Sequence, residues 1–333
     1  MAKPENHGAL GAIYIALIIG LLAGCGGSSS DNNIMESLTG SPLLGCADTD
    51  SCSSNPILTI DEDRPAQAYI PADYNIATTY PLIIVLHGRG ATGPIQALYF
   101  DLLDRVDAQQ FVLIAPDGTL DIEDRRSWNA TPACCAFTPE TQAVDDVAYI
   151  RGLIEKAAAT YSIDPARIGL IGHSNGGFLS LRMACEVSEL VTSVVSLAGS
   201  TFEDASSCAP ATNPVNVLTL HGTQDDTIAY EGGEIFAEIE GIGGVYPGAL
   251  ETIDRYAALA QCTASNTEEG KLDVISSVPG SETDVLSYTG CVDGVDIELW
   301  TLQGGSHVPF PWQADALDSM VRWLTDHARE TWQ

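Results

Sequence analysis

A chain of 333 residues, 45% of them hydrophobic, can bury one large core, which excludes a chain disordered as a whole. Asp and Glu number 45 against 14 Lys and Arg, for a formal net charge of −31 at pH 7. A surface this acidic repels DNA, RNA and pectin-like polyanions, and it suits a salty medium that screens its self-repulsion.

The N-terminus reads as a targeting segment. Lys3 lies in a short polar start, and residues 9–23 form an apolar run of 15, short for a membrane-spanning helix. The run ends in Leu22-Ala23-Gly24-Cys25, which resembles the bacterial lipobox, so cleavage is expected before Cys25 and the lipid on it. The expected organisation is a lipoprotein signal peptide over 1–24, a flexible Gly/Ser/Asn-rich tether over 25–45 and a single α/β domain over 46–333. That predicts export, with the membrane touched only through the lipid anchor. Without Cys25 eight cysteines remain: Cys46, Cys52, Cys134, Cys135, Cys185, Cys208, Cys262 and Cys291. An even number in an exported chain points to disulfides, and Cys46–Cys52 would close a small loop. Metal ligation is disfavoured, because no Cys-x-x-Cys pair occurs and the histidines are not grouped with the cysteines.

Short strands are predicted at 57–60 and 66–70. Continuous apolar runs at 82–86 and 111–115 have the pattern of buried parallel strands, with a helix over 95–106 between them. A long polar loop spans 119–140. An amphipathic helix over 143–161 leads to a strand at 167–171 and a helix at 174–185. Strands at 191–197 and 215–220, a helix at 249–260, a strand at 297–302 and a closing helix at 313–327 complete the pattern. Alternation of this kind predicts an α/β fold with a mostly parallel central sheet, helices on both faces and its site beyond the carboxyl ends of the strands.

Polar residues at those strand ends carry the chemistry. Gly172-His173-Ser174-Asn175-Gly176 lies between a predicted buried strand and a predicted helix, the setting of a nucleophile elbow. Ser174 is the expected nucleophile and needs a base. Of six histidines, His7 is in the targeting segment and His327 near the chain end. His173 should point away from its neighbour, and His87 and His221 precede glycines at strand ends, where they shape loops. His307, just past the last strand, remains as the base. Asp225 is the expected orienting acid, with Asp226 as its rival, in the chain order Ser, Asp, His. The His87-Gly88-Arg89-Gly90 turn should supply an oxyanion hole through the backbone N–H groups of Arg89 and Asn175, with the Arg89 side chain in solvent.

These residues resemble the secreted polyhydroxybutyrate-depolymerase-like and feruloyl-esterase-like α/β-hydrolases, here in lipoprotein form. The resemblance runs from about residue 66 to the C-terminus. It rests on the His87–Gly90 turn, on Ser127-Trp128-Asn129-Ala130 followed by Cys134-Cys135, and on Val144-Asp145-Asp146-Val147. It continues through Asp164-Pro165-Ala166-Arg167-Ile168, the 172–177 elbow, His221-Gly222-Thr223-Gln224-Asp225 with Tyr230, and Gly304-Gly305-Ser306-His307. It departs after His307, where Val308-Pro309-Phe310-Pro311-Trp312 stands in place of a Trp-Pro. The resemblance implies a serine esterase that cleaves carboxylic esters through an acyl-enzyme, with no metal or organic cofactor. It favours Asp225 over Asp226, pairs Cys262 with Cys291 and Cys134 and Cys135 with Cys185 and Cys208, and puts Trp128 near the cleft. Trp128, His173 and Tyr230 are the candidate substrate contacts. Polyesters or short-chain esters are the expected substrates, feruloyl or acetyl esters of plant polysaccharide the alternative, and a non-catalytic polymer-binding lipoprotein the rival of another class.

Overall fold

In the computed structural model, residues 57–59, 64–121, 123–208, 213–235 and 243–329 are described. The expected targeting segment with Cys25, the expected tether and the expected Cys46–Cys52 pair lie outside them. In chain order the elements are β1 (Ile57–Thr59), β2 (Gln67–Tyr69), β3 (Tyr80–Leu86), α1 (Gly93–Tyr99), α2 (Leu102–Gln109) and β4 (Val112–Ala115). A small hairpin of β5 (Thr119–Leu120) and β6 (Arg126–Ser127) follows, then α3 (Pro139–Gln142), α4 (Asp146–Thr160), β7 (Ile163–His173), α5 (Asn175–Glu186), β8 (Ser193–Leu197) and β9 (Asn216–Gly222). A second hairpin, β10 (Gly232–Ile235) and β11 (Gly244–Pro247), precedes α6 (Ala249–Leu259), β12 (Ala264–Leu272), β13 (Thr283–Thr289), β14 (Ile297–Leu302) and α7 (Ala314–Asp326).

Ten strands form one sheet in the order β1-β2-β4-β3-β7-β8-β9-β14-β13-β12. The six from β4 to β14 run parallel, and antiparallel strands close both edges. The apolar runs are continuous because both faces of the parallel strands are covered. In β3, Leu82, Ile84 and Leu86 enter one core with α4, α5 and α6. Ile83 and Val85 enter the other, with α1, α2 and α7. Gly169 in β7 lets α7 come close, since a Cβ there would lie 2.9 Å from the Leu324 side chain.

Three expectations change. The helix predicted over 95–106 is two helices, α1 and α2, parted at Asp101, whose φ of 51° breaks the ladder. Asp tolerates that left-handed conformation better than most residues, and its carboxylate pairs with Arg105 four residues on. Strands β12 and β13 escape prediction because they extend the sheet beyond its covered part: β12 is exposed along nearly all its length and polar in sequence, so it shows no apolar run. The long loop at 119–140 contains the β5–β6 hairpin and α3.

The disulfide expectation is corrected in part. Cys262 bonds Cys291, as the resemblance implies. Cys185 at the end of α5 bonds Cys208, with Cα atoms 5.3 Å apart and within bridging reach. Cys134 and Cys135 bond each other. No sulfur of one pair is left for the other. No helix among the described residues is long and apolar enough to cross a membrane. Non-reducing peptide mapping should find Cys185 linked to Cys208 and Cys262 to Cys291; a peptide joining Cys134 or Cys135 to Cys185 or Cys208 would overturn this pairing.

Candidate active site

Ser174 sits between the end of β7 and the start of α5. Its φ of 53° and ψ of −119° hold a non-glycine residue in a sparsely populated region, at a cost of about 1–3 kcal/mol. The turn is set by close backbone approach. A Cβ on Gly172 would lie 2.1 Å from the Gly176 carbonyl oxygen, and a Cβ on Gly176 would lie 2.1 Å from that of Leu86. Only glycine fits at either end of the elbow. The Ser174 N–H donates to Leu197 O at 2.8 Å, which anchors the turn on β8.

Two strands away, β9 and β14 pair in parallel, with Gly222 opposite Leu302. The loops leaving them are tied together. Thr223 N–H donates to Leu302 O, Gln224 N–H to Gly305 O at 2.9 Å, and Gly304 N–H to the Thr223 hydroxyl at 2.9 Å. The first loop carries Asp225 and the second His307. His307 Nδ1 lies 2.8 Å from Asp225 Oδ2, and its Nε2 lies 3.0 Å from Ser174 Oγ. The Asp225 side chain is fully buried, and its Oδ1 accepts the N–H groups of Thr227 (2.9 Å) and Ile228 (2.8 Å). Burial alone would raise its pKa, but hydrogen bonds from His221, His307 and Ile228 hold the carboxyl well below the usual carboxylate range. An ionised Asp225 can only accept, so Nδ1 of His307 carries the ring proton and Nε2 is free to accept from Ser174. Asp226 is exposed and, among the described residues, meets only the Thr227 hydroxyl at 3.4 Å.

The His307 loop is held through its carbonyls. His173 Nε2–H donates to His307 O at 2.8 Å, Tyr99 O–H to Pro309 O at 2.8 Å, and Ser276 Oγ to Pro311 O at 3.1 Å. The His173 ring lies 4.9 Å from the His307 ring and 5.6 Å from that of Tyr99. Burial pushes its pKa down to about 3. His173 therefore braces the loop from beneath and is not a cleft contact. Tyr99 is a site residue that sequence reasoning missed; a tyrosine on an ordinary helix gives no local signal of this role.

At the end of β3, His87 is buried, with Nδ1–H donating to Gly88 O and Nε2 accepting from Gly118 N–H, both at 2.8 Å. Burial lowers its pKa to about 4. The N–H groups of Gly88, Gly90 and Ala91 all have acceptors: Gln96 Oε1, Arg126 O and Gly88 O. Those of Arg89 and Asn175 meet none among the described residues. The turn adjoins Ser174, since a Cβ on Gly88 would lie 3.4 Å from Ser174 Cβ. The Arg89 guanidinium is not in solvent as expected. It bonds Asp121 Oδ2 (2.9 Å from Nε) and Glu123 Oε2 (3.0 Å), and lies over the Phe137 ring. Trp128 is also corrected as a substrate contact. It is fully buried, because its indole N–H donates to His87 O at 2.9 Å inside the core. Tyr230 is half-buried, with its hydroxyl on Thr301 Oγ1 (2.8 Å) and its ring edge-on to His221.

The sheet, the elbow and the Ser-His-Asp contacts together define an α/β-hydrolase. Residues 75–240 match the phospholipase/carboxylesterase family. Over 188 residues the chain is 29% identical to feruloyl esterase B of Piromyces equi, covering 55% of this chain and 31% of that protein. It is 22% identical over 284 residues to feruloyl esterase D of Neurospora crassa, covering 80% of this chain and 83% of the relative. In fold it is similar to an acetyl xylan esterase from Aspergillus awamori, with a TM-score of 0.56 at 16% identity, covering 81% of this chain and 98% of that one. The chain has the α/β-hydrolase fold and is similar in sequence to feruloyl esterases, spanning about a third of the length of the first and most of the second.

The two buried histidines give the fold a pH signature. In the unfolded chain each titrates near 6.5, whereas in the fold His87 stays neutral down to about 4 and His173 to about 3. As pH falls below 6.5 the unfolded state takes up protons first, so stability falls with pH through this window. The urea midpoint should drop between pH 6.5 and 4, and His173→Asn should flatten that drop. Equal slopes in the two proteins would contradict a neutral, buried His173.

Proposed function

We propose that the chain is an exported serine esterase in which Ser174, His307 and Asp225 form the catalytic triad and the N–H groups of Arg89 and Asn175 form the oxyanion hole. The observation that carries the reading is His307, in hydrogen-bond reach of Asp225 Oδ2 on one side and Ser174 Oγ on the other. His307 takes the Ser174 proton as Oγ attacks the ester carbonyl, and the two free N–H groups bind the developing oxyanion. The alcohol leaves with that proton, giving an acyl-enzyme. Water then gives a proton to His307 and attacks the acyl carbon, and His307 passes that proton to Ser174 Oγ as the acid leaves. No step calls on a metal or an organic cofactor.

The substrate favoured here is a carboxylic ester whose acyl group is carried on a neutral plant polysaccharide, a feruloyl ester first. Two relatives are named feruloyl esterases, and one of them aligns with the chain over most of both lengths. The polyester expectation has no counterpart in those names. The net charge of −31 supports a neutral polymer over a polyanion or a nucleic acid. Export with a lipid on Cys25 rests on the sequence of the N-terminal segment, and the disulfides fit an oxidising compartment.

Ser174→Ala should abolish hydrolysis of p-nitrophenyl acetate and methyl ferulate, with the thermal transition intact. Asp225→Asn should lower kcat by about 10³–10⁴, by analogy with loss of the orienting acid in other triads, while Asp226→Asn should leave it within about twofold. Equal losses at the two aspartates would refute the assignment of the acid. Faster clearing of an emulsified polyester than release of ferulate would refute the substrate.

A further inference from the structure

The motifs at 127–130 and 144–147 stand outside the triad, yet the fold gathers them behind the proposed oxyanion hole. Trp128 and Asn175 are both fully buried. The Asn175 side-chain amide pairs with the Trp128 backbone in both directions: Trp128 N–H donates to Oδ1 at 2.7 Å, and Nδ2–H donates to Trp128 O at 3.0 Å. The Trp128 indole N–H meanwhile donates to His87 O at 2.9 Å. One residue thus bridges the two backbone segments that carry the free N–H groups, the turn after β3 and the start of α5.

Trp128 is itself fixed from behind. The Arg64 guanidinium lies 5.4 Å from the Trp128 ring centre and 3.7 Å from that of Tyr149, and pairs with Asp146 at 2.8 Å. Asp146 Oδ2 also accepts the Asn129 N–H at 2.7 Å, and Asn129 Nδ2 donates to the carbonyls of Gln142 and Val144 at 2.9 Å each. A tryptophan placed only to fill the core would need one partner for its indole N–H. Here three hydrogen bonds from one residue span the gap between two strand ends and set their separation.

We infer that Trp128 is a positioning residue for the oxyanion hole, setting the distance between the N–H groups of Arg89 and Asn175. The inference rests on the oxyanion assignment proposed above. A donor pair acts on a transition state only when both members reach the same oxygen, and a shift near 1 Å in such a group costs up to about a hundredfold in rate.

Trp128→Phe keeps an aromatic ring against Arg64 and removes the indole N–H together with part of the ring volume. In the full chain it should lower kcat by about tenfold or more with KM unchanged. It should weaken binding of an alkyl trifluoromethyl ketone, whose adduct on Ser174 carries an oxyanion, by the same factor. The inhibition constant of the product acid should not move. A folded variant with unchanged kcat and ketone affinity, or with a raised KM alone, would overturn the inference. If Trp128→Phe does not fold, Asn175→Asp serves with the same readouts: it keeps the acceptor for Trp128 N–H, loses the donor to Trp128 O, and retention of full kcat would refute the bridge. Ser174→Ala tests the underlying reading separately. If it stays active the esterase assignment fails; if it is inactive while the bridge variants keep full activity, only the bridge fails.

Discussion

The contact on which the rest of the site depends is a backbone one. At Gly172 and Gly176 the chain passes within about a methyl group's reach of the carbonyls of Gly176 and Leu86, and a Cβ at either position would sit 2.1 Å from an oxygen. That approach lets β7 turn into α5 in a single residue and leaves Ser174 at positive φ, with its hydroxyl lifted away from the sheet. The strain of the turn is offset by its surroundings: the Ser174 N–H is bonded to β8, and both flanking elements are buried in the two cores. The same approach brings the end of β3 against the start of α5, so Ser174 and the N–H groups of Arg89 and Asn175 share one small volume.

Around that elbow, burial separates the roles of chemically similar groups. Four histidines lie at or beside the strand ends. His87 and His173 are held neutral by desolvation; both ring nitrogens of His87 and Nε2 of His173 are committed to backbone groups. His221 turns its Nε2 to Ile228 O. Only His307 has one nitrogen on a carboxylate and the other on the serine hydroxyl. A neutral His173 beneath His307 also matters electrostatically, since a second cation 4.9 Å away would oppose the His307 imidazolium that the proposed mechanism forms.

Much of this was legible in the sequence because the signals were local. Buried parallel strands read as continuous apolar runs, and the elbow, the turn after β3 and the order Ser174, Asp225, His307 each lie within a few residues of a strand end. What could not be read depends on contacts between distant segments. The antiparallel edge formed by β12 and β13 carries no apolar period, because solvent covers much of it. The fate of Arg89 turns on Asp121, 32 residues away, and that of Trp128 on Asn175, 47 residues away. A tryptophan beside a cleft motif looks like a substrate platform, while its burial follows from a hydrogen bond that only the fold reveals. The expected pairing of Cys134 and Cys135 with Cys185 and Cys208 failed for the same reason: even parity indicates bonding, whereas the partners depend on which Cα atoms approach.

The placement of the acid shows how topology can decide between neighbours that sequence leaves equal. Asp225 and Asp226 have the same chemistry and adjoin in the chain. Parallel pairing of β9 with β14 sets Gly222 opposite Leu302, and a Cβ on Gly222 would lie 2.2 Å from Gly305 O, so the two loops leave the sheet in contact. The hydrogen bond from Gln224 N–H to Gly305 O fixes the first loop immediately before Asp225. The N–H groups of Thr227 and Ile228 then close over Asp225 Oδ1 and aim Oδ2 at His307. Once those backbone donors are committed, the next side chain must face outwards, which is where Asp226 lies. The orientation of Asp225 towards His307 is therefore a consequence of strand register and of one glycine contact.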